Sequence, residues 1–263
     1  MSIPKPLKYF IYDLIHLDTE LIKVYLRLLR NKFRMLRKPN FPSEIFSWER
    51  HVHYETKSSA IFFKRSDSTK KSILLSISML EKKYHHIKCL DIGPGPTSQF
   101  YTTFFLNKPQ YEIISVDPLA KFYKDLHKKY NSDYDIVCIP GFGENLNKIF
   151  PEKSFDIVYS QNAIDHSQSP VKFIRNMYYV LKSNGYMILY GILNEGSIQN
   201  WLGLHKWDIL VDNGKLLLSN KKHTYNRYNL LKDLNLKLVF KEILKEYIGG
   251  KIERRYTLIY KKL

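Results

Sequence analysis

Two carboxylates, two glycines and a pair of histidines are the groups in this sequence with chemistry to offer. In "CLDIGPGPTSQF" (89–100) an apolar run ends in Asp91 and leads directly to Gly93 and Gly95. Glycine has no Cβ, so such a loop lets backbone come close to a ligand. A dinucleotide loop would read G-x-G-x-x-G, but Ser98 holds the third place, and Asp91 would repel a pyrophosphate. A ligand with positive charge and no phosphate tolerates that acid. Asp117 closes the next apolar run, 22 residues past Gly95. Later come His166, next to Asp165, and His205, flanked by Trp201 and Trp207. Imidazole is the side chain best suited to take a proton near neutral pH.

These residues need strands to position them, and the hydrophobic pattern supplies strands. Apolar runs at 87–92, 111–117, 134–139, 155–160 and 186–192 alternate with helical patterns around 98–106, at 119–130, near 144–149 and at 170–183. Strands separated by helices imply a parallel sheet with right-handed crossovers. Ligands of such a sheet lie beyond the carboxyl ends of the strands, where Asp91, Asp117 and His166 fall. The tail, "LKLVFKEILKEYIGGKIERRYTLIYKKL", holds two alternating runs about Gly249–Gly250 and predicts an antiparallel hairpin. Residues 193–230 form an insertion ahead of that hairpin, expected to cover a substrate.

The first 60 residues lack this alternation and read as helices. In residues 20–38, Ile22, Tyr25, Leu29, Phe33 and Leu36 make one helical face, with Lys23, Arg27, Arg30, Arg34 and Arg37 beside it. A basic amphipathic helix can lie on an anionic membrane; packing on the domain with a solvated edge is the favoured reading. A further helix is expected over 67–83, with Asp67 or Ser68 as its N-cap. The chain thus divides into a helical cap (1–66) and a main domain (67–263).

With 263 residues and a net charge of +17, the chain can bury a real core and has a taste for anionic partners. No run of about 18 apolar residues suggests a membrane span, and no signal peptide is evident, so a cytoplasmic protein, peripheral at the membrane at most, is expected. Cys89 and Cys138 lie in strand-like runs and read as buried thiols. No Cys/His spacing points to a structural metal.

The motifs together resemble a class I S-adenosylmethionine-dependent methyltransferase. "LDIGPGPT" is similar to that family's D-x-G-x-G-x-[GT] motif, "PGFGENL" to its G-x-x-E segment, and "FDIVYSQNAIDHS" to its fourth motif. "LKSNGYMIL" is similar to its L-K-P-G-G turn, with Ser183-Asn184 in place of Pro-Gly. The resemblance implies a Rossmann-like α/β fold: a mostly parallel sheet of seven strands ending in the antiparallel hairpin. It implies S-adenosylmethionine as cofactor, with Gly93 and Gly95 along its methionine part and Asp91 on its amino group. By the same resemblance Asp117 holds the ribose, Leu119, Gly143 and Glu144 border the adenine, and Ser160, Gln161 and Asn162 lie beside the sulfonium.

Outside the core, "EIFSWERHVHYETK", "NAIDHSQSP" and "GLHKWD" resemble a bacterial subgroup associated with surface polysaccharide biosynthesis, although Ser47 splits the first motif's aromatic pair. That implies O-methylation of a sugar, nucleotide-sugar or phosphoryl acceptor. His166, with Asp165, and His205 are the candidates for taking a hydroxyl proton. Trp48, Arg50, His51, Lys57, Lys206 and Trp207 are candidates for holding the acceptor, with Arg50, Lys57 and Lys206 suited to a phosphate; His53 is a further candidate. An RNA methyltransferase is the alternative that the charge favours. It is disfavoured by "SQNA" where base methylation uses N/D-P-P-Y/F, and by the lack of an added RNA-binding module. A non-catalytic, membrane-associated partner subunit is the third reading, opposed by the intact cofactor motifs.

Overall fold

The computed structural model describes residues 86–98, 111–129, 137–222, 225–248 and 251–263, together with Ile45, Trp48, Glu49, Val52 and Ser78. The predicted helices at 20–38, 67–83 and 98–106, the 66/67 division and the Gly249–Gly250 turn lie outside these residues.

Strand β1 (Ile87–Ile92) lies at the centre of the sheet, paired in parallel with β2 (Tyr111–Asp117) on one side and β4 (Phe155–Gln161) on the other. Beyond β2 comes β3 (Cys138–Pro140), and beyond β4 comes β5 (Leu181–Ile192). The tail forms β9 (Leu236–Ile248) and β10 (Lys251–Lys262), with β10 antiparallel to both β5 and β9. The order β3-β2-β1-β4-β5-β10-β9 reverses direction between β1 and β4, and the crevice at such a reversal is where an open α/β sheet binds ligands.

The strands are apolar on both faces because successive side chains point to opposite sides and both sides are covered. Leu90, Ile92, Val158, Leu189 and Leu258 face one core, and Cys89, Ile113, Ile157, Ile188 and Ile259 face the other. Helix α1 (Ala120–Lys129) follows β2, and a 3₁₀ helix (Gly143–Lys148) follows β3. Helix α2 (Pro170–Val180) starts on Ser169, whose side chain accepts from the Lys172 N–H, with Pro170 in the first turn. It buries Phe173, Ile174, Met177 and Val180, which share one helical face.

One sequence expectation needs correction. Helix α2 ends at Val180 rather than 183, and β5 begins at Leu181. Lys262, from the last strand, donates to the carbonyls of Tyr178 (2.7 Å) and Leu181 (2.8 Å). These are carbonyls the end of a helix leaves without partners, and a lysine 81 residues downstream of Leu181 is invisible to local pattern. Residues 193–230, expected only as a cover, carry helix α3 (Glu195–Ile198) and a three-stranded antiparallel sheet of β6 (Trp207–Asp212), β7 (Lys215–Asn220) and β8 (Tyr228–Asn229). The Ser183-Asn184 departure is accommodated because Asn184 takes φ 65°, a left-handed conformation that asparagine tolerates better than most residues.

Candidate active site

The loop after β1 turns on two glycines in left-handed conformation, Gly93 at φ 71° and Gly95 at φ 69°. A Cβ on Gly93 would collide with Ala163, and one on Gly95 would lie 2.9 Å from the indole of Trp48. The Gly93 N–H donates to the Val116 carbonyl at 2.9 Å, which ties this loop to β2. Here glycine is required twice over, by conformation and by space.

Asp91 and Asp117 flank the loop, and both are buried. Asp91 Oδ2 accepts from the Ser98 hydroxyl at 2.5 Å, while Oδ1 is buried with no hydrogen-bond partner among the described residues. Burial pushes the Asp91 carboxyl up to about 7, with the Ser98 bond opposing and the nearby Asp117 charge adding. Asp117 Oδ1 accepts from the Leu119 N–H at 2.8 Å, and Oδ2 faces the Gly95 N–H at 3.4 Å. Its carboxyl is raised to about 6, again by burial, against the pull of those two backbone donors. A carboxylate oxygen has two acceptor sites, so Asp117 can hold its loop and still accept from ligand hydroxyls. An orphaned buried carboxylate oxygen costs free energy unless a donor or a positive charge meets it. The charge and hydroxyls of an amino acid joined to a nucleoside fit these two groups.

Other expected cofactor residues divide. Leu119 starts the turn into α1 and is half-buried beside Asp117. Gln161 accepts from the Tyr159 hydroxyl at 2.7 Å, and Asn162 sits at φ 48° with Oδ1 buried and unpartnered. These two leave β4 at the crevice. Ser160 is fully buried and donates to the Ile92 carbonyl at 3.2 Å, so it braces β1 against β4. Glu144 accepts from the backbone N–H groups of Gln168 (2.7 Å) and Ser169 (3.2 Å), and Gly143 packs against Phe173. In this structure both fix the start of α2. Trp48, expected on the acceptor, lies over Gly95 and edge-on to Tyr123, 6.5 Å between centroids. Arg50, His51, His53 and Lys57 lie outside the described residues.

Past β4 and β5 the fold assembles a second group. His205 Nδ1 lies 2.9 Å from Asp165 Oδ2 and 3.0 Å from His166 Nε2, and His166 Nε2 lies 3.4 Å from the same Asp165 oxygen. Asp165 is buried, whereas the His166 and His205 side chains keep 24% and 22% of their surface exposed, enough for a ligand to reach them. Burial, helped by the His205 charge, holds the His166 ring down at about 3, so it is neutral at neutral pH. The Lys206 N–H donates to the Asp165 carbonyl (3.2 Å), and the Trp207 indole donates to the Ser167 carbonyl (2.8 Å). These two bonds dock the insertion on the loop after β4 and so set His205 against Asp165.

Sequence reasoning missed Glu195. It opens α3 just after β5, 6% exposed, with Oε1 3.8 Å from His205 Nδ1 and Oε2 unpartnered. Burial, then the neighbouring Asp165 charge, pushes its carboxyl up to about 8. An acid three residues past a strand end was the available signal. The Ser197 backbone N–H (2.8 Å) and hydroxyl both donate to Asp208 of β6, which holds α3 in place.

The family described as "Methyltransferase domain" matches residues 90–189. A tRNA U34 carboxymethyltransferase of Pseudoalteromonas atlantica is 30% identical over 135 residues, 50% of this chain and 39% of that protein. A thiol S-methyltransferase of Rattus norvegicus is 25% identical over 138 residues, 51% of this chain and 54% of its own. The chain therefore spans roughly half or less of the curated relatives it matches. Among solved structures, the N-methyltransferase NodS from Bradyrhizobium japonicum, in complex with S-adenosylhomocysteine, superposes with a TM-score of 0.53 at 12% identity, covering 83% of this chain and 98% of that one. The chain has the Rossmann-like fold of class I S-adenosylmethionine-dependent methyltransferases, and its residues 90–189 are similar to the methyltransferase-domain family.

Proposed function

We propose that this protein transfers a methyl group from S-adenosylmethionine to a hydroxyl of a small sugar-like or phosphorylated acceptor. The observation that carries the reading is the pair of buried carboxylates around the Gly93–Gly95 loop, one with an orphaned oxygen. S-adenosylmethionine supplies a methyl carbon already activated by its sulfonium. Asp91 would meet the amino group, Asp117 the ribose hydroxyls, and the loop backbone the rest of the amino-acid portion. Gln161 and Asn162, at the end of β4, border the route to the acceptor.

The remaining work is positioning, worth up to about 7–11 kcal/mol of barrier, and removal of the acceptor's proton. As the acceptor oxygen attacks, the new C–O bond forms while the C–S bond breaks, and its electron pair returns to sulfur. The proton goes to the Asp165–His166–His205 group. His166 alone is a feeble proton acceptor at a pKa of about 3, so the work falls on the group as a unit. A carboxylate on imidazole Nδ1, as Asp165 is on His205, fixes the orientation of the ring. Leu202, Lys206 and Trp207, on the same stretch as His205 and not fully buried, are the candidates for contacts to the acceptor.

The +17 charge and the tRNA-modifying relative support a second reading, in which the acceptor is RNA. Labelled S-adenosylmethionine incubated with nucleotide sugars, phosphorylated glycan precursors and tRNA separates the two. Label on tRNA alone would overturn the small-acceptor reading, and label on nothing, with no binding of S-adenosylhomocysteine, would overturn methyl transfer itself.

A further inference from the structure

We infer that Asp165, His166 and His205 bind one divalent transition-metal ion, with Glu195 beside them as a second carboxylate. Three potential ligand atoms, Asp165 Oδ2, His166 Nε2 and His205 Nδ1, form a triangle with edges of 2.9, 3.0 and 3.4 Å. Ligands about 2.1 Å from one metal ion stand about 3.0 Å apart at right angles and about 3.4 Å apart at tetrahedral angles. The triangle therefore has the dimensions of one face of a coordination shell.

Hydrogen bonding accounts for only part of this triangle. Each ring nitrogen offers one proton or one lone pair, and an ionised carboxylate only accepts. If both nitrogens carry protons, two donors face each other across 3.0 Å. If only His205 does, its proton is shared between Asp165 and the His166 lone pair, which still stands 3.4 Å from the carboxylate; if only His166 does, the His205 lone pair meets Asp165 at 2.9 Å. A single cation satisfies all three lone pairs at once. Glu195 is an independent sign: it is buried, it reaches to 3.8 Å from His205 Nδ1, and its second oxygen has no partner. Two imidazoles with one or two carboxylates suit zinc, manganese or iron rather than magnesium or calcium, which prefer oxygen alone. Three protein ligands on one face leave positions for an acceptor's oxygens. That role rests on the proposed methyl transfer, since a cation there would ionise the hydroxyl in place of an imidazole base.

The test is binding, read without turnover. Full-length, tag-free protein stripped with chelator is titrated calorimetrically with zinc chloride and with manganese chloride, and melted with and without each. One saturable site per chain and a raised melting midpoint are expected. His166→Ala and His205→Ala should each weaken binding by more than about 100-fold, while His86→Ala, an exposed histidine on the far side of β1, leaves it unchanged. Asp165→Asn, which keeps the shape, guards against loss of fold and should also lose the site. Affinity for S-adenosylhomocysteine should survive in all four variants. Saturable binding that persists in the His166→Ala/His205→Ala double variant overturns the site. So does the absence of any saturable heat in a wild-type protein that binds S-adenosylhomocysteine, and that second result leaves methyl transfer standing.

Discussion

Along the carboxyl edge of the sheet, the ends of β1 and β2 present two carboxylates, Asp91 held by the Ser98 hydroxyl and Asp117 by neighbouring backbone N–H groups. The ends of β4 and β5 present the Asp165–His166–His205 group and Glu195, drawn from three separate pieces of chain. Asp91 and Asp117 lie on adjacent strands, and their partners Ser98, Gly95 and Leu119 all lie within 22 residues of them. Asp165 and His205 are 40 residues apart and meet only because β6 and its approach fold back over the loop after β4. A half built from short loops and backbone can serve one unchanging ligand. A half built from side chains on an insertion can be refitted for a new acceptor while the sheet stays as it is.

If the division is real, the largest effect should come from the second half and leave the first untouched. His205→Ala should lower kcat by roughly 100-fold or more, the scale of losing proton removal, whereas calorimetry should find S-adenosylhomocysteine affinity unchanged. Equal losses in both measurements would merge the two halves into one.

The reciprocal experiment is Asp117→Ala. Loss of two charge-assisted hydrogen bonds should weaken S-adenosylhomocysteine by about 2 kcal/mol, or about 30-fold, with the His166–His205 group and any zinc binding there unaffected. Unchanged affinity would remove Asp117 from the cofactor half.

Gly95→Ala sharpens the first half's dependence on backbone. A left-handed alanine costs about 1–2 kcal/mol, and its Cβ presses on Trp48. Urea unfolding should show that loss, and cofactor affinity should fall with it. A variant as stable as the parent would mean the loop relaxes freely.

The smallest effect is one of pH. Asp91 at about 7 and Asp117 at about 6 both lie above the usual carboxylate range. A raised carboxyl contributes stability that is fully present below its unfolded value and is lost as pH rises through the folded one. The cofactor-free protein should therefore lose this contribution between about pH 4 and 7. If Asp91 meets the amino group of S-adenosylhomocysteine and Asp117 its ribose, binding favours the ionised form of both, so the rise in melting midpoint it produces should be larger at pH 8 than at pH 5. An equal rise at both pH values would mean that neither proton is linked to binding.

Much of this was legible in the sequence because it depends on local rules. Apolar runs of strand length, glycines directly after one of them and acids at the ends of two placed β1, β2, β4 and the Asp91–Asp117 pair without any long-range information. The antiparallel pairing of the two C-terminal strands was legible for the same reason, since they are near neighbours in sequence. His166, Asp165 and His205 were recognisable as candidates one by one. That they touch was not, because no spacing rule links residue 166 to residue 205.

Only the tertiary structure decided the rest. Ser160 and Glu144 sit in motifs that imply ligand contact, yet their polar atoms meet the Ile92 carbonyl and the start of α2. Which partner a hydroxyl or carboxylate finds depends on what packs against it, and periodicity carries nothing of that. Lys262 ends α2 from the far end of the chain, and Glu195 is buried beside His205 because α3 is tied to Asp208. A sequence pattern specifies which face of an element is apolar. Which polar groups then meet is set by how those faces pack, and here that packing makes the acid–imidazole group.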